Sequence, residues 1–337
     1  MHDSFLPLLM DPQTRQPLTL NATQRSGEFV IEGTLESLSN SYPIVRGVPR
    51  FAGFQQNSNY TSSFGYKWCK WSRIQFESEN IGCPMEGHTR GMWEKITGIA
   101  DRDLKGAIML ESGCGPGRFL DIVASKNGKA IGVDLSDAVE AAQENFANNP
   151  NVLICQGDAL QLPIKSSSLD GAFSIGVLHH TPDPFKGFQQ MCQAVRPGGD
   201  VSVAVYPKGG YYDFPTVQLY RALFKALWPV LKHYPPLIYS YLTAYGLRPT
   251  ASVPLLGKLL RAVFPHVRLP DVRWALLDTF DSVTPSYQSA HKSYEVFRWL
   301  KDCNLVDIEP GDWGTTTYHG VTPSAVDSVT TVQSRAA

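Results

Sequence analysis

The chain has 337 residues, of which 43% are hydrophobic and 18% charged, and its formal net charge is −1. This composition indicates a globular protein with a sizeable core, and it excludes a general attraction to nucleic acid or acidic membranes while allowing a local basic patch. No apolar run reaches the length of a membrane span and no N-terminal secretion signal is recognisable, so we expect a cytoplasmic protein.

Residues 1–53 predict a small β-rich module, because short apolar runs at 29–31 and 42–49 alternate with turn residues. The stretch 8–18, followed by Tyr-Pro-Ile and Gly-Val-Pro phrases, resembles a zinc-ribbon-like module. The chain has 6 cysteines, but none forms a C-x-x-C pair. We therefore predict no metal site and no disulfide framework, and we interpret the module as a docking or packing unit.

Residues 54–104 form a segment rich in aromatic side chains, Phe64 and Trp68 among them. One interpretation is an arm that packs on the following domain, since large aromatic side chains are usually buried. The other is a lid over a bound ligand, in which ring faces contact a positive charge. Arg90, in the same segment, is a candidate for pairing with a substrate carboxylate.

Residues 105–207 alternate between strand and helix patterns. The predicted strands are 107–111, 130–134, 152–155, 169–175 and 200–206, and the predicted helices are 117–125, 137–147 and 185–195. This alternation predicts a doubly wound α/β domain with a parallel sheet and right-handed crossovers. In such a sheet ligands bind beyond the carboxyl ends of the strands.

The first of these strands runs into a glycine-rich turn. Glu111 is followed by Gly113, Gly115 and Gly117, and then a helix begins. Glycines at alternate positions allow a ligand to approach the backbone, but the spacing differs from the dinucleotide fingerprint and is weak evidence alone. Asp134 ends the second strand, where its two oxygens suit the hydroxyls of a ribose.

Asp158 follows the third strand and has two interpretations. It either accepts a hydrogen bond from an adenine amine or serves as a helix N-cap, a position that Asp favours. The fourth strand runs into the loop 176–180, which contains His179 and His180.

Residues 208–290 interrupt the alternation with aromatic residues, prolines and two predicted helices at 217–231 and 255–264. We interpret this insertion as a helical cap that shapes a substrate pocket. The alternative is that the helices dimerise or pad the core, as apolar stripes usually do. Residues 291–323 return to the core with a helix at 291–304 and strands at 305–309 and 317–321, and residues 324–337 form a tail.

The motifs of residues 104–206, in this order, resemble the class I S-adenosylmethionine-dependent methyltransferases. The resemblance implies a Rossmann-like seven-stranded sheet with an antiparallel last strand, and S-adenosylmethionine as cofactor. Four further features resemble one bacterial subgroup of this family. They are the aromatic arm, the Gly-Arg-Phe after the glycines, the His-Thr-Pro-Asp-Pro phrase, and Asp278-Thr279-Phe280-Asp281 with the Thr-Pro-x-Tyr that follows. Its members mostly act on small molecules or are uncharacterised, and the N-terminal module resembles those fused ahead of methyltransferase domains.

The resemblance also assigns site residues. The cofactor would contact Phe64, Trp68, Glu111 (at its amino end), Gly113, Gly115, Gly117, Asp134, Leu135, Asp158, Ala159, Gly176 and Val177. The candidates for proton transfer are His179, His180 and Tyr206, because a hydroxyl or amine acceptor benefits from a base and histidine titrates near neutral pH. The candidates for substrate contact are Arg90, Tyr212, Tyr287 and His291.

The leading hypothesis is an enzyme that methylates oxygen, nitrogen or carbon of a small molecule, as in a specialised biosynthetic pathway. A second hypothesis is cyclisation of S-adenosylmethionine itself, with release of methylthioadenosine. A third is a tRNA- or protein-modifying enzyme or a partner-docking scaffold, against which the net charge and the lack of a basic stripe with interleaved aromatics count. We expect a small-molecule substrate, no nucleic acid and no membrane partner. The sequence leaves open whether the chain forms a homodimer.

Overall fold

A computed structural model describes residues 1–52 and 61–324 of the chain. The start of the predicted arm and the tail beyond residue 324 lie outside the described residues.

The N-terminal module is a four-stranded antiparallel sheet in the order β1-β2-β3-β4. Its strands are β1 (Thr19–Ser26), β2 (Phe29–Glu36), β3 (Ser41–Val45) and β4 (Val48–Pro49). Leu35 and Ile44 are buried in one cluster with residues of the central sheet such as Leu153. The module therefore packs on the domain that follows it and shares its core.

One buried carboxylate, that of Asp11, ties the loops of this module together. It accepts hydrogen bonds from five donors, which are the amides of Gln13 (2.8 Å) and Thr14 (3.1 Å), Ser37 Oγ (2.6 Å), Asn40 Nδ2 (2.9 Å) and Tyr42 Oη (2.9 Å). Hydrogen bonds from these side chains and amides hold the pKa of Asp11 well below its usual value despite burial. Among the described residues no group of three or more His, Cys, Asp or Glu is placed to hold a metal ion.

The central sheet has seven strands in the order β10-β11-β9-β8-β5-β6-β7. They are β5 (Ile108–Ser112), β6 (Lys129–Asp134), β7 (Val152–Gln156), β8 (Leu169–Ile175), β9 (Val195–Ala204), β10 (Val306–Pro310) and β11 (Thr317–Val321). β11 pairs antiparallel with both β9 and β10, whereas the pairs among β5 to β9 are parallel. The predicted Rossmann-like sheet with an antiparallel last strand is confirmed.

Six helices surround the sheet. They are α1 (Ser62–Lys70), α2 (His88–Thr97), α3 (Arg118–Ser125), α4 (Ala138–Asn145), α5 (Pro184–Ala194) and, after the cap, α10 (Ser293–Asp302). Predicted and observed bounds mostly agree within two residues. β9 is the exception, since it starts five residues earlier than predicted and includes the Arg196-Pro197-Gly198-Gly199 turn.

The insertion contains four α-helices, which are α6 (Pro215–Leu231), α7 (Tyr234–Tyr241), α8 (Pro254–Val263) and α9 (Val272–Val283). The sequence predicted α6 and α8 but not α7 and α9. α7 has two prolines in its first turn, directly after Tyr234, and prolines normally signal a break but are tolerated in a first helical turn. α9 is buried on most sides, so it lacks the one-sided apolar stripe that marks a surface helix. No helix among the described residues is long and apolar enough to cross a membrane.

Candidate functional site

A cavity of about 430 Å³ lies at the carboxyl ends of β5, β6, β7, β8 and β9. The glycine turn and the strand ends form its floor. Phe64, Lys67 and Trp68 of α1 border it on one side, and Trp274 and Leu277 of α9 on another. The aromatic arm and the cap thus meet at the place where ligands bind in a doubly wound sheet.

The glycine turn brings backbone and side chains closer than any other residue would allow. Gly113 has a φ of +84°, and a Cβ atom there would lie 2.2 Å from Val177 Cγ1. A Cβ atom on Gly115 would lie 3.0 Å from the indole nitrogen of Trp68. Both glycines line the cavity, as predicted, and α1 covers the turn directly.

Gly117 has a role in packing. It precedes α3 with a φ of +92°, and a Cβ atom would lie 2.4 Å from Phe146 Cε2. It is absent from the cavity lining. Gly117 is therefore required for packing against Phe146, and its assignment as a cofactor contact stays a prediction.

Asp134 is held at the edge of the cavity by the turn itself. Its Oδ2 atom accepts a hydrogen bond from the Gly115 amide (2.9 Å), and its Oδ1 atom accepts from the amide (2.8 Å) and hydroxyl (2.6 Å) of Ser136. Oδ2 keeps one further lone pair, whereas both lone pairs of Oδ1 are used by Ser136. Asp134 and its neighbour Leu135 line the cavity, which fits the ribose assignment.

Two ionisable side chains that line the cavity each have one polar atom without a hydrogen-bond partner. Glu111 Oε2 and Arg118 Nη1 are buried without a hydrogen bond. Burial raises the pKa of Glu111 well above its usual value and lowers that of Arg118. Buried polar groups are nearly always hydrogen-bonded, so this pair fits a ligand that carries an ammonium and a carboxylate.

Asp158 lines the cavity next to Ala159. Its Oδ1 atom accepts a hydrogen bond from the Leu160 amide (2.8 Å) within a turn. No helix follows this turn, so the N-cap interpretation is wrong. The second oxygen of Asp158 is available to a ligand.

The loop after β8 separates the two histidines. His180 lines the cavity with Gly176 and Val177, and its Nδ1 atom lies 3.0 Å from the carbonyl oxygen of Tyr287. Its Nε2 atom has no partner, and burial lowers the pKa of His180 to about 4. His180 is therefore a neutral ring with one nitrogen free to accept a proton.

His179 lies one layer deeper, outside the cavity lining. It is fully buried, and its ring centroid lies 3.8 Å from that of Tyr206. Burial lowers its pKa well below the usual value. His179 does not line the cavity, and proton transfer by it stays a prediction.

Tyr206 and Tyr212 form a parallel stack in the cavity wall, with ring centroids 4.0 Å apart. Burial raises the pKa of both phenols well above the usual value. Both rings therefore stay protonated near neutral pH and suit hydrogen-bond donation rather than proton abstraction.

Three predicted substrate residues do not line the cavity. Arg90 is directed to the surface, where its Nη2 atom lies 3.3 Å from Ser125 Oγ. Tyr287 reaches the site only through its carbonyl oxygen, which contacts His180. His291 lies 2.9 Å from Ser289 Oγ and 3.6 Å from Glu295. The roles of these three residues in substrate contact stay predictions.

Four charged residues of the cavity were missed as site residues, and Arg118, described above, is the first of them. Lys67 and Asp281 form an ion pair of 2.5 Å between α1 and α9, with side-chain exposures of 3% and 16%. Asp278 lies one turn before Asp281 and also lines the cavity. Burial, reinforced by Asp281, raises the pKa of Asp278 to about 7. The spacing of the two aspartates, three residues apart on one helix face, was the available signal.

Comparisons with known proteins agree with this geometry. A family model described as a methyltransferase domain matches residues 110–203. The chain is 38% identical over 122 residues to an uncharacterized 37.1 kDa transposon protein of Streptomyces fradiae, covering 35% of each chain. It is 36% identical over 103 residues to a demethylmenaquinone methyltransferase of Desulfitobacterium hafniense, covering 28% of this chain and 41% of that one.

A third relative is a tRNA U34 carboxymethyltransferase of Pseudoalteromonas atlantica. It is 28% identical over 135 residues, covering 39% of this chain and 41% of the relative. The chain thus spans less than half the length of each of these three relatives, and the matches concern its central part. Residues 110–203, with the glycine turn, the Asp134 strand end and the seven-stranded sheet around them, are a class I S-adenosylmethionine-dependent methyltransferase domain.

Proposed function

We propose that the whole protein is a methyltransferase that transfers a methyl group from S-adenosylmethionine to a small-molecule acceptor. The observation that carries the proposal is a cavity bordered by the glycine turn below and by α1 and α9 above. The relatives named for demethylmenaquinone and for tRNA leave both acceptor classes open. A cavity walled by buried aromatic side chains favours an acceptor small enough to be enclosed.

The residues present fit the cofactor. Glu111 and Arg118 would hold the ammonium and carboxylate of its methionine part, because both have unpartnered polar atoms in the cavity. Asp134 would hold the ribose and Asp158 the adenine. When bound, S-adenosylmethionine supplies an electrophilic methyl group on a positively charged sulfur.

Asp278 is the group we propose to remove a proton from the acceptor. It lies in the cavity beside Asp281, and no described side chain forms a hydrogen bond or ion pair with it. A carboxylate with a pKa of about 7 is a much better base than an ordinary aspartate. His180 Nε2 is the second acceptor of protons in the cavity, but with a pKa of about 4 it is the weaker base.

The proposed function is tested by product analysis of the purified chain with S-adenosylmethionine. Formation of S-adenosylhomocysteine only when a small-molecule acceptor is added supports it. Methylthioadenosine formed without acceptor would instead establish cyclisation of the cofactor. Methyl incorporation into tRNA or protein, with no small molecule methylated, would overturn the small-molecule proposal.

Replacing Asp278 with asparagine should change the pH dependence of both stability and turnover. The pKa of Asp278 in the folded chain lies above the unfolded value of about 3.9, so ionisation is disfavoured in the fold and the wild type loses stability as pH rises from about 4 to about 7. The cofactor-free D278N variant should therefore be more stable than wild type by about 4 kcal/mol at pH 8 and nearly equal to it near pH 4. Thermal unfolding at the two pH values measures this difference.

Whereas ionisation of Asp278 lowers the stability of the wild type, it should raise the turnover of the wild type. Wild-type kcat should rise with pH around 7, and D278N should lose that rise and at least about tenfold of its rate. Substitution of the exposed Asp302 by asparagine is the control and should change neither property. A D278N variant with the wild-type pH–rate profile would show that Asp278 is not the base.

A further inference from the structure

Three cap helices expose apolar stripes that a globular protein normally buries. On α6 the exposed residues Leu219, Leu223 and Val230 recur at helical spacing, and on α8 Leu255 and Leu259 do the same, with Leu255 84% exposed. On α7 the exposed residues 234, 238, 241 and 242, continued by 245, follow the same period. Large exposed apolar surfaces mark sites of interaction.

The same segment is strongly basic. Residues 214–270 contain seven Lys and Arg and no Asp or Glu. The whole chain has 30 basic and 31 acidic residues, so the remainder of the chain has an excess of eight acidic residues. Lys225, Lys232, Arg248, Lys258 and Arg261 of the segment are exposed. Positive charge is thus concentrated in the segment whose helices expose the apolar stripes.

We propose that this face, formed by the exposed residues of α6, α7 and α8 and called the basic apolar face, docks on the surface of an anionic lipid membrane. Helices that combine exposed leucines with Lys and Arg bind in the interface plane of a bilayer, where apolar side chains enter the acyl boundary and cations contact anionic headgroups. No membrane-spanning helix is needed for this mode of binding. The proposal revises the expectation, based on net charge, that the protein has no membrane partner.

The charge distribution argues against two other occupants. A second copy of the chain would place one cationic face against another, and like charges in an interface are repulsive. Nucleic acid would pair with the lysines but would leave the exposed leucines in contact with phosphate or water. An anionic bilayer satisfies both the charges and the apolar stripes.

The basic apolar face is connected to the cavity through ring contacts. The guanidinium carbon of Arg261 on α8 lies 5.1 Å from the ring centroid of Tyr211. The Tyr211 ring contacts that of Tyr212 edge-on, with centroids 5.3 Å apart, and Tyr212 lines the cavity. A membrane-bound α8 would therefore lie close to the cavity wall that contains Tyr212.

Vesicle co-sedimentation of the full chain tests the proposal without reference to methyl transfer. The probes are vesicles of phosphatidylglycerol and phosphatidylcholine in equal parts, and vesicles of phosphatidylcholine alone. We expect binding to the anionic vesicles that weakens as salt is raised, and much weaker binding to the neutral ones.

Variants then separate the two contributions. The double variant L255Q/L259Q should bind the anionic vesicles at least about tenfold more weakly, since two leucines no longer enter the bilayer. K232Q/K258Q should weaken binding about fivefold for each lysine removed. The matched controls are L38Q, at a leucine that is 93% exposed in the N-terminal module, and K105Q/K301Q, at exposed lysines elsewhere. All controls should bind as wild type does.

Three outcomes would overturn the proposal. The first is no sedimentation with anionic vesicles at low salt by a folded sample. The second is concentration-dependent dimerisation, measured by analytical ultracentrifugation, that L255Q/L259Q abolishes, because the face would then be covered by a second copy. The third is tRNA binding that depends on the lysines but not on the leucines, with vesicles left unbound.

Discussion

Replacing Asp134 with asparagine is expected to weaken binding of S-adenosylmethionine by about 100-fold or more. The carboxylate already accepts three hydrogen bonds, from the Gly115 amide and from the amide and hydroxyl of Ser136. An amide has one accepting oxygen in place of two, and its NH2 group would face one of these donors. The variant therefore loses both the ribose contact and the anchor of the glycine turn, and each charge-assisted hydrogen bond contributes about 1.5–3 kcal/mol.

Isothermal titration with S-adenosylmethionine measures this effect. The matched control is D137N, which changes an exposed aspartate three residues away whose side chain forms no cap hydrogen bond. It should bind the cofactor as wild type does. Wild-type affinity in a folded D134N sample would mean that the ribose lies elsewhere.

Replacing Lys67 with methionine is expected to lower the free energy of unfolding by about 3–5 kcal/mol. The Lys67 ammonium is buried and pairs with Asp281 at 2.5 Å, and it lies 3.9 Å from the Trp68 ring centroid. Without it, the Asp281 carboxylate is left in the cavity wall with no counter-charge, and breaking one side of a buried ion pair has a cost of this size. The arm helix α1 would also lose its polar contact to α9.

A double variant separates the charge effect from lost packing. K67M/D281L removes both charges and should recover most of the stability, because a buried ion pair and an apolar pair of similar volume are often equivalent. R25M, which breaks the exposed Arg25–Asp3 pair (2.7 Å), is the control and should change stability by at most about 1 kcal/mol. Thermal unfolding measures all four proteins. If K67M/D281L is as unstable as K67M, the ion pair is not what holds the arm on the cap.

The central sheet could be predicted because its information is local. Strands β5 to β8 are short apolar runs between turn residues. Each is followed by a residue or loop whose side chains or backbone are typical of a ligand site. Asp134, Gly113 and Gly115 were found in this way and line the cavity. Gly117 has the same local signature, and only its contact with Phe146, 29 residues later in the chain, gives it a packing role.

The cap and the arm could not be predicted to the same depth. Whether an aromatic or charged side chain faces the cavity depends on the direction in which its helix is packed, and the chain pattern does not contain that direction. His179 and His180 are adjacent, yet His179 is fully buried against the Tyr206 ring and only His180 lines the cavity. Lys67 and Asp281 are 214 residues apart, so no spacing rule joins them.

The glycine turn, the acidic strand ends and the alternation of elements suffice to establish a class I methyltransferase core, because buried parallel strands and tight turns impose their own local residue requirements. The upper wall of the cavity, the partner of each buried charge and the exposure of the cap stripes follow from long-range packing. A helical apolar stripe has the same sequence pattern whether it is buried or exposed. The packing of α6 to α8 leaves the apolar stripes of these helices exposed.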